Sequence, residues 1–270
     1  MVDSLLCEND SGVITLTLNR PEKLNAINGE LESQLARKLS EIEEDVSAKV
    51  VVIRGAGRAF CAGADLSGDA ELGVNRVQRW REAFLRSHRM LTRMLGFSKP
   101  IIAATHGYVL GMGFYLATAC DMIISTDECK FGVPEIRHAQ SSTGWVPVWN
   151  VRRNHLMELL LTGDLIDGKK AEAIGLVNRS VPSDRLEKEI RKLAGKLALI
   201  DPLVLSMNKA VINTWYNVSQ YFEASLFSVE SNAVINVSEP RKKWDEVFRT
   251  EGMKGFIKRR DEPFKKLDEE

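Results

Sequence analysis

The stretch Pro100-Ile101-Ile102-Ala103-Ala104-Thr105-His106-Gly107-Tyr108-Val109-Leu110-Gly111-Met112-Gly113-Phe114-Tyr115-Leu116-Ala117-Thr118-Ala119-Cys120 contains no Asp, Glu, Lys or Arg. An uncharged run of this length is long enough to cross a bilayer as one helix. Its reading therefore decides between a membrane protein and a layered globular one. Pro100 and the glycines at 107, 111 and 113 settle the matter, because they interrupt any continuous helix. Ile101–Thr105 reads as a buried strand, the glycines as a turn, and Gly113 to about Ala119 as a short helix. Met122–Ser125 follows as another strand, so the unit is strand, turn, helix, strand and not a membrane span.

Working outward, the same alternation continues. Val13–Leu18 is β-rich and is ended by Asn19-Arg20-Pro21, and Val50–Ile53 is a short buried strand broken at Gly55-Ala56-Gly57. Between them Asn28 is placed to cap a helix with Leu31, Leu35, Leu39 and Ile42 on one face. Residues 66–78 read as a loop, followed by a helix carrying Phe84, Leu85, His88, Leu91 and Leu95, where His88 is a packed imidazole. Downstream, Leu156–Leu161 is helical and Asp167 caps a short helix that Gly175 ends. Leu176–Val181 reads as a strand, and Ser183 starts a helix to about Leu199. After Pro202 only helical patterns remain. These patterns predict an α/β core over residues 1–199 and an all-helical region over 200–270.

Composition narrows the function. In 270 residues, 37 Lys+Arg balance 37 Asp+Glu, and 44% of residues are hydrophobic. The balance argues against a nucleic acid as the main partner, and the apolar content against disordered or collagen-like classes. The cysteines at 7, 61, 120 and 129 have no C-x-x-C spacing, and the histidines at 88, 106, 138 and 155 have no H-x-x-x-H spacing. No metal site is expected, and the thiols read as reduced cytosolic cysteines. Cys61 has no base spaced beside it, so it is not read as a nucleophile. Met1-Val2-Asp3-Ser4-Leu5 lacks the basic and apolar regions of a secretory signal, which predicts a cytoplasmic protein.

Cofactor fingerprints fail in turn. Gly55-x-Gly57 and Gly111-x-Gly113 lack the third small residue of a dinucleotide loop, and neither G-x-x-x-x-G-K-[ST] nor G-x-S-x-G occurs. Two loops rich in small residues remain: Arg58-Ala59-Phe60-Cys61-Ala62-Gly63-Ala64-Asp65-Leu66, and His106 through Ala117. Small residues let a ligand approach backbone N–H donors, and the second loop leads into a helix N-terminus. Two such donors aimed at one carbonyl oxygen form an oxyanion hole; tight packing turns are the other reading of the same residues.

The order of further motifs is distinctive. Leu18-Asn19-Arg20-Pro21-Glu22-Lys23-Leu24-Asn25-Ala26, the Ala59–Leu66 run, Lys99–Ala104, Phe131-Gly132-Val133-Pro134-Glu135, Leu161-Thr162-Gly163, Ala171-x-x-x-Gly175-Leu176-Val177-Asn178 and Glu251–Phe256 occur in sequence. Together they resemble the enoyl-CoA hydratase/isomerase (crotonase) family over essentially the whole chain. The resemblance implies a spiral of ββα units with a C-terminal helical trimerisation region, assembled as a homotrimer or a dimer of trimers. It implies an acyl-CoA thioester substrate, a link to fatty acid metabolism, and no separate cofactor, CoA being part of the substrate. By motif position the two oxyanion donors fall on the N–H groups of Ala62 and Met112, beside Gly111. The backbone of Ala62, Gly63, Ala64, Asp65 and Leu66 would meet CoA. Arg58, with Phe264 and Lys265 from a neighbouring subunit, would meet its phosphates and adenine.

Hydratases of this family use two glutamates, one to activate water and one to protonate carbon. The resemblance places one on Glu135 and puts Tyr115 where the other belongs. A phenol with an ordinary pKa of about 10 is a poor base at neutral pH, though it can donate a hydrogen bond. This leaves hydration and double-bond isomerisation of an enoyl-CoA both open, with Glu135 as acid/base, Tyr115 shaping the site, and decarboxylation of a malonyl-type ester as the alternative. His138 is expected to be structural, and Arg137 to form an ordinary ion pair. Trp145 and Trp149 are candidates to line an acyl pocket, and the basic residues from Lys254 to Lys266, interleaved with acids, form the one patch an RNA-binding reading would need.

Overall fold

The computed structural model describes residues 3–66, 76–140, 151–217 and 221–268. Trp145, Trp149 and most of the expected 66–78 loop lie outside the described residues. The strands are β1 (Leu5–Asp10), β2 (Val13–Leu18), β3 (Val50–Gly55), β4 (Ile101–Thr105), β5 (Tyr108–Leu110), β6 (Met122–Thr126), β7 (Lys130–Gly132) and β8 (Arg179–Val181). The helices are α1 (Gly29–Glu44), α2 (Arg76–Leu95), α3 (Met112–Thr118), α4 (Arg153–Thr162), α5 (Gly168–Ala173), α6 (Leu186–Ala198), α7 (Pro202–Asn217), α8 (Tyr221–Ile235) and α9 (Glu239–Asp268).

Six strands form one sheet in the order β1-β2-β3-β4-β6-β8, antiparallel only between β1 and β2, while β5 and β7 pair separately in parallel. The segments β1–β2–α1, β4–β5–α3 and β6–β7–α4 each run strand, strand, helix, the expected repeating unit. Register explains the two-sided core. Leu16, Ile53, Ala103 and Ile123 lie side by side across four strands and face the larger core with α1 and α3. Their neighbours Val52, Ile102 and Ile124 turn to the other face, where Ile190 and Ala194 of α6 cover them.

Local signals act where expected. The Asn28 side chain accepts from the Leu31 N–H at 2.9 Å, and Asp167 from the Lys170 N–H at 2.8 Å. Four strands differ from expectation. β1 is exposed along five of its six residues and has no apolar alternation to betray it. β5 and β7 are three residues each, too short for a periodic pattern. The expected strand Leu176–Val181 begins only at Arg179, because the Leu176 and Val177 N–H groups turn back to Ala171 O and end α5.

The helical region packs on the core: α8 lies along α2, with an Arg81–Glu230 ion pair at 2.7 Å. Gly252, at φ 65°, breaks α9 into two arms, and α9 contacts the 3-10 turn Pro134–His138 that follows β7. This contact brings the C-terminus of the chain to the loop carrying Glu135.

Candidate active site

The first loop is held on both sides by backbone. Cys61 pairs with β5, its N–H donating to Tyr108 O and its carbonyl accepting from Leu110 N–H, both at 3.0 Å. On the other side Ile27 N–H donates to Gly63 O at 2.8 Å and Asp65 N–H to Ile27 O at 2.9 Å. The partner loop takes unusual backbone angles, with Leu24 at φ 50° and Asn25 at φ 57°. Asn25 is fully buried and fixes this shape: it accepts from Arg20 N–H and donates to Ala56 O and Ala59 O at 2.8 and 2.7 Å. Arg20 completes the brace with an ion pair to Asp65 at 2.7 Å.

This pairing corrects one expected donor. The Ala62 N–H already donates to Leu24 O at 3.0 Å, so it is not free to receive a substrate oxygen. Ala64 differs. Its neighbours Gly63 and Asp65 make the bonds to Ile27, so strand alternation turns the Ala64 N–H towards β5 and Gly111. That amide has no acceptor among the described residues.

Met112 opens α3, and as the first helical residue its N–H has no intrahelical partner. A Cβ on Gly63 would lie 3.8 Å from the Met112 nitrogen, which places the two loops edge to edge. Gly113 makes that approach possible, since a Cβ there would collide with the Cys61 carbonyl. The Ala64 and Met112 amides thus lie at the edges where the two loops meet.

Glu135 stands over the same turn. A Cβ on Gly111 would overlap Glu135 Oε1, so the carboxylate fills the space that only glycine leaves there. Glu135 Oε2 is buried with no hydrogen-bond partner. Burial raises the carboxyl from its usual value near 4.5 to about 7, against smaller opposing effects of its own backbone N–H and the Arg260 charge. Tyr115 of α3 is buried, and its phenol is pushed well above 10 by burial and then by the Glu135 charge. It stays protonated at any working pH.

The remaining residues sort by their partners. His138 is buried against Trp244 and Phe256, contacts the Gln140 side chain at 2.9 Å, and is pushed down to about 3 chiefly by burial, so it is a neutral packing residue as expected. Arg137 is an ion-pair residue, also as expected: it donates to Thr162 O at 2.7 Å and binds Asp164. Its guanidinium lies 3.9 Å from the centre of the Phe264 ring. Phe264 therefore meets Arg137 of its own chain. Lys265 is exposed, Arg58 and Ala64 are exposed at the loop, and Leu66 is half-buried. His88 is buried and contacts Thr92 at 3.2 Å, a packing role. Among the described residues no group of three His, Cys, Asp or Glu is placed to hold a metal, and no helix is long and apolar enough to cross a membrane. Sequence reading missed the bracing role of Asn25 and the orientation of the Ala64 amide.

A sequence profile described as enoyl-CoA hydratase/isomerase matches residues 8–267. The chain is 31% identical over 271 residues to the probable enoyl-CoA hydratase echA8 of Mycobacterium bovis, covering 96% of each chain. It is 33% identical over 230 residues to the 1,2-epoxyphenylacetyl-CoA isomerase of Escherichia coli, covering 79% of this chain and 83% of that one. The crystal structure of an enoyl-CoA hydratase/isomerase from Xanthobacter autotrophicus Py2 superposes with a TM-score of 0.92 at 31% identity, covering 97% of this chain and 99% of that one.

Proposed function

Because the chain belongs to the enoyl-CoA hydratase/isomerase family, has the crotonase fold and is an acyl-CoA-processing enzyme, we propose that it moves a proton along an enoyl-CoA thioester with Glu135 as the single acid/base. The Ala64 and Met112 amides receive the thioester oxygen. In this reading the Glu135 carboxylate removes a proton from C2 of a 3-enoyl thioester, and the electron pair flows into the carbonyl oxygen. Binding that oxygen more strongly as it becomes anionic lowers the barrier. The same carboxyl then returns the proton to C4, giving the 2-enoyl product. The observation that carries the reading is the seat of Glu135 on Gly111, one residue before the Met112 donor.

Isomerisation is favoured over hydration by Tyr115, whose raised phenol can donate a hydrogen bond but cannot act as the second base. Hydration keeps a place as the second reading, since the mycobacterial relative is named a probable hydratase. The decarboxylase and RNA-binding alternatives have no supporting observation. Two of the basic residues the latter would use are ion-paired, Arg259 to Glu251 and Arg260 to Asp261.

The backbone from Ala62 to Leu66, with Arg58, Gly111 and Met112, forms the proposed CoA-facing edge, and no cofactor is invoked. Residues 200–270 form the proposed oligomerisation region, in a cytoplasmic homotrimer or dimer of trimers. Leu203, Met207 and Val211, 66%, 58% and 59% exposed along α7, favour a second copy as the cover.

Incubation with a 3-enoyl-CoA in deuterated water tests the chemistry: the expected product is the 2-enoyl-CoA, with kcat/KM rising on an acid limb centred at about pH 7. Glu135→Gln should abolish turnover while CoA-ester binding persists. Full turnover in that variant overturns the reading, and a 3-hydroxyacyl product in its place selects hydration.

A further inference from the structure

We propose that Gln140 and Asn236 are positioning residues for Glu135: their side-chain amides tie the turn Pro134–His138 to the end of α8 and so hold the carboxylate in its seat on Gly111. The catalytic consequence rests on the reading of Glu135 above; the tie itself is an unbroken run of hydrogen bonds.

The seat has to be held from below. Glu135 Oε2 is buried without a hydrogen-bond partner, so no donor fixes that oxygen and its place is set by the backbone that carries it. The fit is close, because a Cβ on Gly111 would overlap Oε1. The backbone beneath is a 3-10 stretch of five residues ended by Ala139, at φ 57° and ψ 41°. A residue with a Cβ in this left-handed region costs roughly 1–3 kcal/mol and persists only where its surroundings over-determine it. Whatever keeps Ala139 in this shape keeps Glu135 in place as well. Here the Ala139 N–H turns back to Ile136 O at 3.3 Å, and the Gln140 N–H to Glu135 O at 3.0 Å.

Gln140 bonds in three directions from the far side of that strained residue. Besides the bond to Glu135 O, its Nε2 donates to Asn236 Oδ1 at 2.9 Å, and its Oε1 lies 2.9 Å from His138 Nε2. With the amide nitrogen committed to Asn236, the amide oxygen accepts, which puts the His138 proton on Nε2. His138 Nδ1 is then a bare acceptor, and it is buried with no donor. The ring packs edge-on against Trp244 and Phe256. The Gln140 side chain thus fixes the last residue of the turn, and its main chain fixes Glu135.

The other end of the tie is part of the core. Asn236 is fully buried and closes α8, its N–H and its Nδ2 both donating to Asn232 O, at 3.0 and 2.9 Å. Ser228, Val229, Asn232 and Ala233 lie on the same buried face of α8, which packs along α2. A buried amide that loses its partner costs about 1–3 kcal/mol, so the tie is not released without penalty. Arg137, whose guanidinium meets Thr162 O, Asp164 and the Phe264 ring, holds the middle of the turn. The amide pair holds its end, where the Glu135 carbonyl is bound.

The test replaces the two amides by apolar side chains of similar size, Gln140→Met and Asn236→Leu, singly and together, in the full-length protein. Each single variant should lower kcat on a 3-enoyl-CoA by about ten- to a hundredfold, since a 1 Å misplacement can cost ~10²-fold. Neither residue belongs to the edge proposed to face CoA, so KM should stay within about threefold. The double variant should lose no more than the worse single one, because both remove the same tie. It leaves neither amide facing an apolar partner, so it also serves if a single variant fails to fold. Crystal structures of the variants should show the Glu135 carboxylate withdrawn from Gly111. A carboxylate still seated there overturns the inference whatever the rate, and so do losses that multiply in the double variant. A withdrawn carboxylate with unchanged kcat would leave this inference standing and remove Glu135 from the proposed function.

Discussion

Around Ala62–Asp65 the contacts that set geometry are mostly main-chain bonds to β5 and to Leu24–Ile27, with one buried amide, Asn25, and one ion pair, Arg20–Asp65. Around Glu135 they are charged and aromatic side chains from three elements: Arg137 and His138 on the turn, Asp164 after α4, and Arg260, Asp261 and Phe264 on α9. The side proposed to bind the thioester oxygen is thus held mainly by shape, and the side proposed to carry the proton by charged and aromatic side chains. The difference predicts where each side is fragile. A shape-based wall fails when an atom is added or a buried bond removed, and it is insensitive to pH. A charge-based wall keeps its shape under conservative substitution and answers to pH.

The most severe break should come from one added methyl group on the seam between the two sides. Gly111 has φ 50°, and a Cβ there overlaps the Glu135 carboxylate. Gly111→Ala must displace the acid/base, the adjacent Met112 amide, or both. We expect kcat/KM to fall by about a thousandfold or more, since acid/base catalysis alone contributes ~10²–10⁴-fold. Steady-state kinetics with a near-UV circular dichroism control checks it; activity within tenfold of the parent would mean that Glu135 does not work from this seat.

On the oxygen-binding side, Asn25→Ala leaves the Ala56 and Ala59 carbonyls and the Arg20 N–H without their buried partner. The expected loss is about 2–3 kcal/mol of stability, read as a lower midpoint in urea. The loss should be equal at pH 6 and pH 8, because no charge is involved.

On the proton-carrying side, Glu135→Gln should do the reverse and stabilise the protein, with a pH signature. The folded carboxyl titrates at about 7 against about 4.5 unfolded, so between these values the native state binds the extra proton and stability falls as pH rises. The cost of the buried charge is nearly complete by pH 8 and absent below pH 4.5. Replacing it by a neutral amide should therefore raise stability by roughly 3 kcal/mol at pH 8 and by less than about 1 kcal/mol at pH 5. Equal gains at both pH values would place the carboxylate in contact with water.

The same division governs what the sequence made legible. The strand–turn–helix unit over 101–119, the Asn28 and Asp167 caps and the switch to helices after Pro202 are local patterns, and the structure has them. Glu135 also seats on Gly111, the residue before Met112. That the Ala62 amide is already used, leaving Ala64, was beyond the motif, because it turns on which amide the Leu24 carbonyl consumes, a contact across 38 residues of sequence. The approach of Asp261 to Arg137 was hidden for a stronger reason: it joins the turn after β7 to a distant tail that reads as a solvated charged helix.

The smallest effect is expected where the two sides share a residue. Tyr115 lies on the backbone-built helix α3 yet faces Glu135, and its phenol stays protonated far above neutral pH. If a single carboxylate both removes and returns the proton, the hydroxyl does no acid/base work, and Tyr115→Phe keeps the ring that packs edge-on to Phe114 at 6.1 Å. Isomerisation of a 3-enoyl-CoA should then fall by no more than about threefold, the cost of one ordinary hydrogen bond. Were the hydroxyl instead orienting a water for addition to a 2-enoyl-CoA, the variant would lose hydration by a hundredfold while sparing isomerisation. Measuring both rates on Tyr115→Phe therefore separates the two chemistries in one protein, and a large loss in isomerisation would show that Glu135 does not act alone.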